Sequence, residues 1–89
     1  MTMTMTENEA LPIDLTVDLN SEDESGLPWT FIDEAQDRSL VVEGAWLVVG
    51  EGTVQAVAQV VEIEGEIVRV RPLPGPVHRH RHLLAHRVA

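Results

Sequence analysis

The feature that most constrains the fold of this chain is a region rich in β-branched residues between positions 40 and 73. Its apolar runs occupy residues 40–42, 45–49, 54–63 and 66–73, separated by Glu43-Gly44, by Gly50-Glu51-Gly52-Thr53 and by Glu64-Gly65. β-Branched side chains favour strands, and short glycine-containing turns connect strands that run antiparallel. The sequence therefore predicts consecutive antiparallel strands, which end where Pro72, Pro74 and Pro76 exclude regular structure.

The turn at Glu64-Gly65 allows the pairing of the last two strands to be predicted. A two-residue turn there places Ile63 opposite Glu66 and Val61 opposite Val68. The predicted core face carries Val57, Val61, Ile63, Val68 and Val70. The other face, predicted to meet solvent or a partner, carries Ala56, Ala58, Val60, Glu62, Ile67, Arg69 and Arg71. On that face we expect Glu62 and Arg69 to form a surface ion pair worth about 0–1 kcal/mol.

The N-terminal part is predicted to contribute an edge strand. Apolar residues alternate with polar or turn residues from 11 to 19, which is the period of a half-buried strand. Pro12 and two aspartates favour an edge position, and an acidic, partly ordered arm is the alternative interpretation. We expect residues 1–10 to form a flexible tail and residues 11–26 to form this arm or edge strand with its following loop.

A short helix is predicted over residues 28–36. Pro28 suits a first helical position, and acidic residues follow the apolar ones. This segment contains the only Phe and one of the two Trp of the chain. Trp29, Phe31 and Ile32 are interpreted as closing one end of a small core, and a peptide-binding aromatic groove is the alternative.

These elements predict one small, mainly β domain over residues 27–89. About 65 ordered residues are too few for two packed sheets, so a curled antiparallel sheet or SH3-like barrel is the expected fold. The strand order resembles small SH3-like or KOW-like barrels at the level of fold, and fold resemblance alone implies no function.

Several residue types are absent, which limits the chemistry. The chain has no Cys, no Tyr and no Lys, which excludes thiolate nucleophiles, cysteine-ligated metals, Schiff bases and a lysine-dependent phosphate loop. We therefore expect a protein that is not an enzyme and needs no cofactor. Without a run of about 18 apolar residues or a recognisable secretory signal, a soluble cytoplasmic protein is expected, and the use of Arg without Lys suggests a bacterial source.

The C-terminal segment is predicted to be a basic helix over residues 77–88, following Pro74-Gly75-Pro76. On such a helix His78, His82 and His86 are spaced i, i+4 and i+8, and two imidazoles at this spacing can bind zinc, nickel or copper. The main interpretation is a surface stripe of histidines, with a metal site as the alternative.

The charges are segregated along the chain. All 15 acidic residues precede residue 67 and are accompanied by one arginine, Arg38, whereas the remaining arginines follow. We expect an adaptor module that associates with a protein or with itself through this charge dipole. The predicted partner-binding residues are Trp46, Arg69, Arg71, Arg79 and Arg81. One alternative is a nucleic-acid-associated regulator, and another is a DNA mimic that uses Asp14, Asp18, Glu22, Asp23 and Glu24.

Overall fold

A computed structural model describes residues 12–21 and 24–84 of the chain. Its strands are β1 (Leu15–Thr16), β2 (Trp29–Phe31), β3 (Trp46–Glu51), β4 (Val54–Glu64) and β5 (Ile67–Pro72). Its helical segments are short 3₁₀ turns, η1 (Ile32–Glu34), η2 (Arg38–Leu40) and η3 (Val77–Leu83). The predicted tail over residues 1–10 lies outside the described residues.

The five strands form one sheet in the order β1-β3-β4-β5-β2. The pairs β3–β4, β4–β5 and β5–β2 are antiparallel, whereas β1 runs parallel to β3 with Leu15 opposite Val49. A single antiparallel bridge between Leu15 and Ala35 links β1 to the chain just after β2. This bridge brings the two edges together, so the sheet is nearly closed into a barrel, as the sequence predicts.

The interior of the barrel is aliphatic. Its buried residues are Leu15, Val17, Val41, Leu47, Val49, Ala56, Ala58, Val60, Val68 and Val70. A second, smaller cluster of Val48, Val57 and Leu84 lies on the outside of β3 and β4, beneath η3. Alternate residues of β3 therefore pack into different clusters. Leu47 and Val49 lie in the barrel interior, and Val48 lies in the external cluster.

A β-bulge changes the predicted register of the last hairpin. Glu64 pairs with Ile67, so the turn is Gly65-Glu66, and the pairing shifts between Val60 and Glu62. The extra residue, Val61, is half-buried, and the interior side chains of β4 are Ala56, Ala58 and Val60. The prediction that Val57 and Val61 face this core was wrong because a bulge reverses the alternation of side chains. The placement of Val68 and Val70 in the core is confirmed.

Two local predictions were also wrong. Residues 28–36 form β2 and η1 instead of a helix, because Trp29, Thr30 and Phe31 pair with β5. The predicted strand at 40–42 is absent: Leu40 ends η2, and residues 41 and 42 lie outside the helices and strands. Asp37, which precedes η2, accepts hydrogen bonds from Ser39. The predicted C-terminal basic helix is present as η3, a kinked 3₁₀ helix in which His80 departs from helical geometry, and residues 85–89 lie outside the described part of the chain.

Candidate functional site

The outer surface of the sheet that η3 leaves uncovered is the candidate site, and we call it the open face. Residues that pair directly across antiparallel strands point to the same side, so the register defines its rows. Three rows of residues cross the strands on this face. In order along the strands, they are Trp46-Gln59-Arg71, Glu62-Arg69-Trp29 and Glu64-Ile67-Phe31. The bulge at Val61 allows both Gln59 and Glu62, three residues apart, to point outward.

Every aromatic side chain of the protein lies on the open face. The chain has two Trp, one Phe and no Tyr, and none of these residues belongs to the buried interior. Trp29 and Phe31 contact each other edge to face, with ring centroids 5.5 Å apart and planes at 86°. Phe31 is 49% exposed. Of the three residues expected to close the core, only Ile32 packs against it, so that interpretation was wrong for Trp29 and Phe31.

Trp46 occupies the opposite side of the open face from Trp29. It is half-buried, because its ring packs against the external cluster beneath η3. β3 and β2 are separated by β4 and β5, so the two tryptophans lie about 14 Å apart around the sheet. The open face is therefore flanked by an aromatic side chain on each side.

Arg69 lies at the centre of the open face. Its Nη1 donates to Glu62 Oε1 at 3.1 Å and to Glu64 Oε1 at 2.9 Å, and its side chain is 20% exposed. The predicted ion pair with Glu62 is confirmed, and Glu64 adds a second carboxylate. Both glutamates are exposed, so each contact contributes no more than about 1 kcal/mol. Their main effect is to hold the guanidinium beside the two carboxylates.

Arg71, Arg79 and Arg81 are arranged differently from Arg69. All are exposed, and none contacts an acidic side chain among residues 12–21 and 24–84. Arg38 by contrast lies 3.8 Å from Asp33 on another part of the surface. The structure therefore places Trp46, Arg69 and Arg71 on one face, with Arg79 and Arg81 on the segment that borders it.

The segment η3 is attached to the sheet by apolar contacts. Leu84 is fully buried against Val48 and Val57, and Val77 and Leu83 pack around it. His80 Nε2 lies 2.8 Å from the carbonyl oxygen of Pro74, which ties the first turn of η3 to the preceding loop. These contacts direct the polar side chains of the segment toward solvent.

The helical face on which the metal prediction rests is not formed over residues 78–82. η3 is a kinked pair of 3₁₀ turns, so His78 and His82 do not have α-helical i, i+4 geometry, and His86 lies outside the described residues. The described residues contain no group of three His, Asp or Glu side chains that is able to hold a metal ion.

The acidic residues proposed for DNA mimicry do not form one exposed surface. Asp14 is 6% exposed, and its carboxylate accepts a hydrogen bond from the Val48 N–H at 2.9 Å. Asp18 and Glu24 are exposed, whereas Glu22 and Asp23 lie outside the described residues. Asp14 is therefore buried within the fold and is not available to the acidic surface that the DNA-mimic hypothesis requires.

Three features of the open face are absent from the predicted partner-binding residues: the Trp29-Phe31 pair, Gln59 and Glu64. The alternation of Trp29 and Phe31 around Thr30 is a strand signal that places both rings on one face, and the helix prediction obscured it. Gln59 donates to the carbonyl oxygen of Gly44 at 3.2 Å. Its outward position depends on the bulge, for which the sequence has no signal.

Comparison of the chain with protein-family models, curated proteins and solved structures finds no match. Within the described residues, no helix has the length and apolar character needed to cross a membrane.

Proposed function

We propose that this protein is a small, non-enzymatic binding module that presents its open face to a protein partner. The observation that carries the proposal is the location of the aromatic residues. The barrel interior is filled by Leu, Val and Ala, and both Trp and the only Phe lie on the external face. Phe31 is 49% exposed and both tryptophans are partly exposed, and aromatic side chains that the barrel interior does not use mark an interaction surface when they gather on one face.

The other residues of the open face support a protein partner. Tryptophan and arginine are the side chains that most often dominate the binding energy of protein interfaces. Arg69 is held in place by Glu62 and Glu64, so little side-chain entropy is lost when a partner contacts it. The proposed contact residues are Trp29, Phe31, Trp46, Arg69 and Arg71.

We further propose that the module acts in the cytoplasm of a bacterium. The support for this location is compositional: the chain lacks cysteine and uses Arg for all of its basic residues other than His. Expression of the tagged chain in its source cells, followed by fractionation, tests the location.

The function is tested by quantitative affinity purification of the tagged full chain from its source cells. We compare the wild-type protein with a Trp29→Ala/Phe31→Ala variant and with a Val42→Ala/Val54→Ala control. Val42 and Val54 are 55% and 62% exposed and lie off the open face, so the control removes similar apolar surface elsewhere. We expect the same proteins to be retained by the wild type and the control and to be lost from the aromatic variant.

Equal retention by all three proteins contradicts the proposal. Circular dichroism and thermal unfolding confirm that each variant is folded. Since Phe31 is half exposed and Trp29 lies outside the buried clusters, we expect the aromatic variant to keep its strand content.

A further inference from the structure

We infer that the partner presents a short acidic segment, which binds Arg71, Arg79 and Arg81 at the end of the open face beside η3. This inference rests on the proposed function and specifies the chemistry of the partner. It follows from the register of the sheet, from the ion pairs of the arginines and from the distribution of the remaining charge.

The register places Arg71 beside η3. The row covered by η3 contains Val48 and Val57, which are directly paired, and Leu73, whose N–H donates to the Val57 carbonyl oxygen at 2.8 Å. The next row is Trp46-Gln59-Arg71. Rows on one face of a strand are about 7 Å apart, so Arg71 lies in the first uncovered row next to the segment that carries Arg79 and Arg81.

These arginines are available to a ligand. Arg69 and Arg38 contact carboxylates of the same chain, at 2.9 Å and 3.8 Å respectively. Arg71, Arg79 and Arg81 are exposed and contact no acid within residues 12–21 and 24–84. Exposed guanidinium groups form bidentate hydrogen bonds with carboxylates, which is the contact we assign to the partner.

The overall charge favours a short acidic peptide over a long polyanion. The formal net charge is −9, so nucleic acid that extends beyond these arginines meets repulsion from the rest of the molecule. A second copy carries the same net charge and the same repulsion. A peptide of a few residues ends within the basic area, and its apolar side chain can pack on the half-buried Trp46 in the same row.

Fluorescence anisotropy with the full chain tests this inference. The probe is a labelled nine-residue peptide of Glu and Asp with one central Leu, at about 50 mM salt. We expect it to bind, and we expect the Arg71→Gln/Arg79→Gln/Arg81→Gln variant to bind about tenfold more weakly or worse, because three exposed ion pairs are lost together. The matched control is Arg38→Gln, which neutralises an exposed arginine elsewhere and should leave the affinity unchanged.

Three results overturn the inference. The first is no binding of the probe at about 1 mM, and the second is equal binding by the wild type and the triple variant. The third is tighter binding to a 20-nucleotide single-stranded DNA at the same salt concentration, which assigns the arginines to nucleic acid instead. One of these results can occur while retention of cellular partners still depends on Trp29 and Phe31. In that case the inference of an acidic partner segment is wrong, and the proposed function as a binding module is retained.

Discussion

The carboxylate of Asp14 accepts a hydrogen bond from the Val48 N–H at 2.9 Å, and the Asp14 N–H donates to the Val48 carbonyl oxygen at 2.8 Å. The side chain of Asp14 thus takes the place of a backbone carbonyl immediately before β1, where the pairing with β3 begins. Asp14 is 6% exposed, so both groups of Val48 are satisfied away from water.

We therefore predict that Asp14→Ala destabilises the fold. Removing the acceptor leaves the buried Val48 N–H without a partner, which costs about 1–3 kcal/mol. Urea unfolding measures the loss, and faster hydrogen exchange at Val48 localises it. The control is Asp18→Ala on the same segment, where the side chain is exposed and the expected loss is under about 1 kcal/mol. Equal losses for the two variants contradict the assigned role of Asp14.

A second prediction concerns Gly50 in β3. Its φ of +142° is a region that L side chains rarely adopt, and an added Cβ collides with the carbonyl oxygen of Val54. We expect Gly50→Ala to cost about 3 kcal/mol or more, from backbone strain and steric overlap together. Gly52→Ala is the matched control, because Gly52 has a φ of +61° but open space around the Cβ position, so only about 1 kcal/mol is expected. Thermal unfolding measures the loss of stability in both variants. A smaller loss for Gly50→Ala than for Gly52→Ala contradicts the prediction.

The attachment of η3 gives a third prediction. Leu84 is fully buried against Val48 and Val57, whereas its neighbour Leu83 is half-buried. We expect Leu84→Ala to lower the free energy of unfolding by about 2–5 kcal/mol and Leu83→Ala to have a smaller effect. Denaturant unfolding followed by tryptophan fluorescence reports the change, because Trp46 packs in the same cluster. If Leu83→Ala is the more damaging substitution, the placement of this segment is wrong.

Asp37 gives a prediction about pH. The hydroxyl of Ser39 donates to its Oδ1 at 2.6 Å and the Ser39 N–H donates to the same atom at 3.0 Å, and these bonds lower the pKa of Asp37 below its ordinary value of 3.8. Because the folded-state pKa is the lower one, the stabilisation is present above the unfolded pKa and is lost as pH falls through the folded pKa.

Ser39→Ala removes the first and larger of these bonds. We expect the pKa of Asp37, measured by nuclear magnetic resonance titration, to move back toward 3.8 in this variant. Ser25→Ala, a substitution in a different loop, serves as the control and should leave the Asp37 titration in place. A wild-type pKa at or above 3.8 contradicts the prediction.

The sequence predicted the central part of the barrel because its signals are local. β-Branched runs and glycine turns specify β3, β4 and β5, and β4 was bounded to within one residue at its end. The sequence did not predict the bulge at Val61. The position of the extra residue depends on how both faces of β4 pack against distant parts of the chain. The bulge in turn determines which side chains of β4 point into the interior.

The prediction for β2 failed for a different reason. Pro28 and the acids after Ile32 are local helix signals, whereas the strand at Trp29–Phe31 is fixed by pairing with β5, more than thirty residues later. Tertiary contacts override local propensity in such segments. The aromatic part of the open face was therefore the part least accessible to sequence reasoning, although the arginines on β5 were identified.

β1 and β2 are successive in the chain but lie at opposite edges of the sheet, and the Leu15–Ala35 bridge connects β1 to the chain just after β2. Trp46 belongs to the meander of β3, β4 and β5, whereas Trp29 belongs to a strand that must close a long loop to reach β5. A ligand that contacts both tryptophans therefore stabilises the pairing of β2 with the rest of the sheet. By mass action, a free ligand concentration of about one hundred times the dissociation constant adds about 2.7 kcal/mol to the free energy of unfolding, so a bound partner also stabilises the fold.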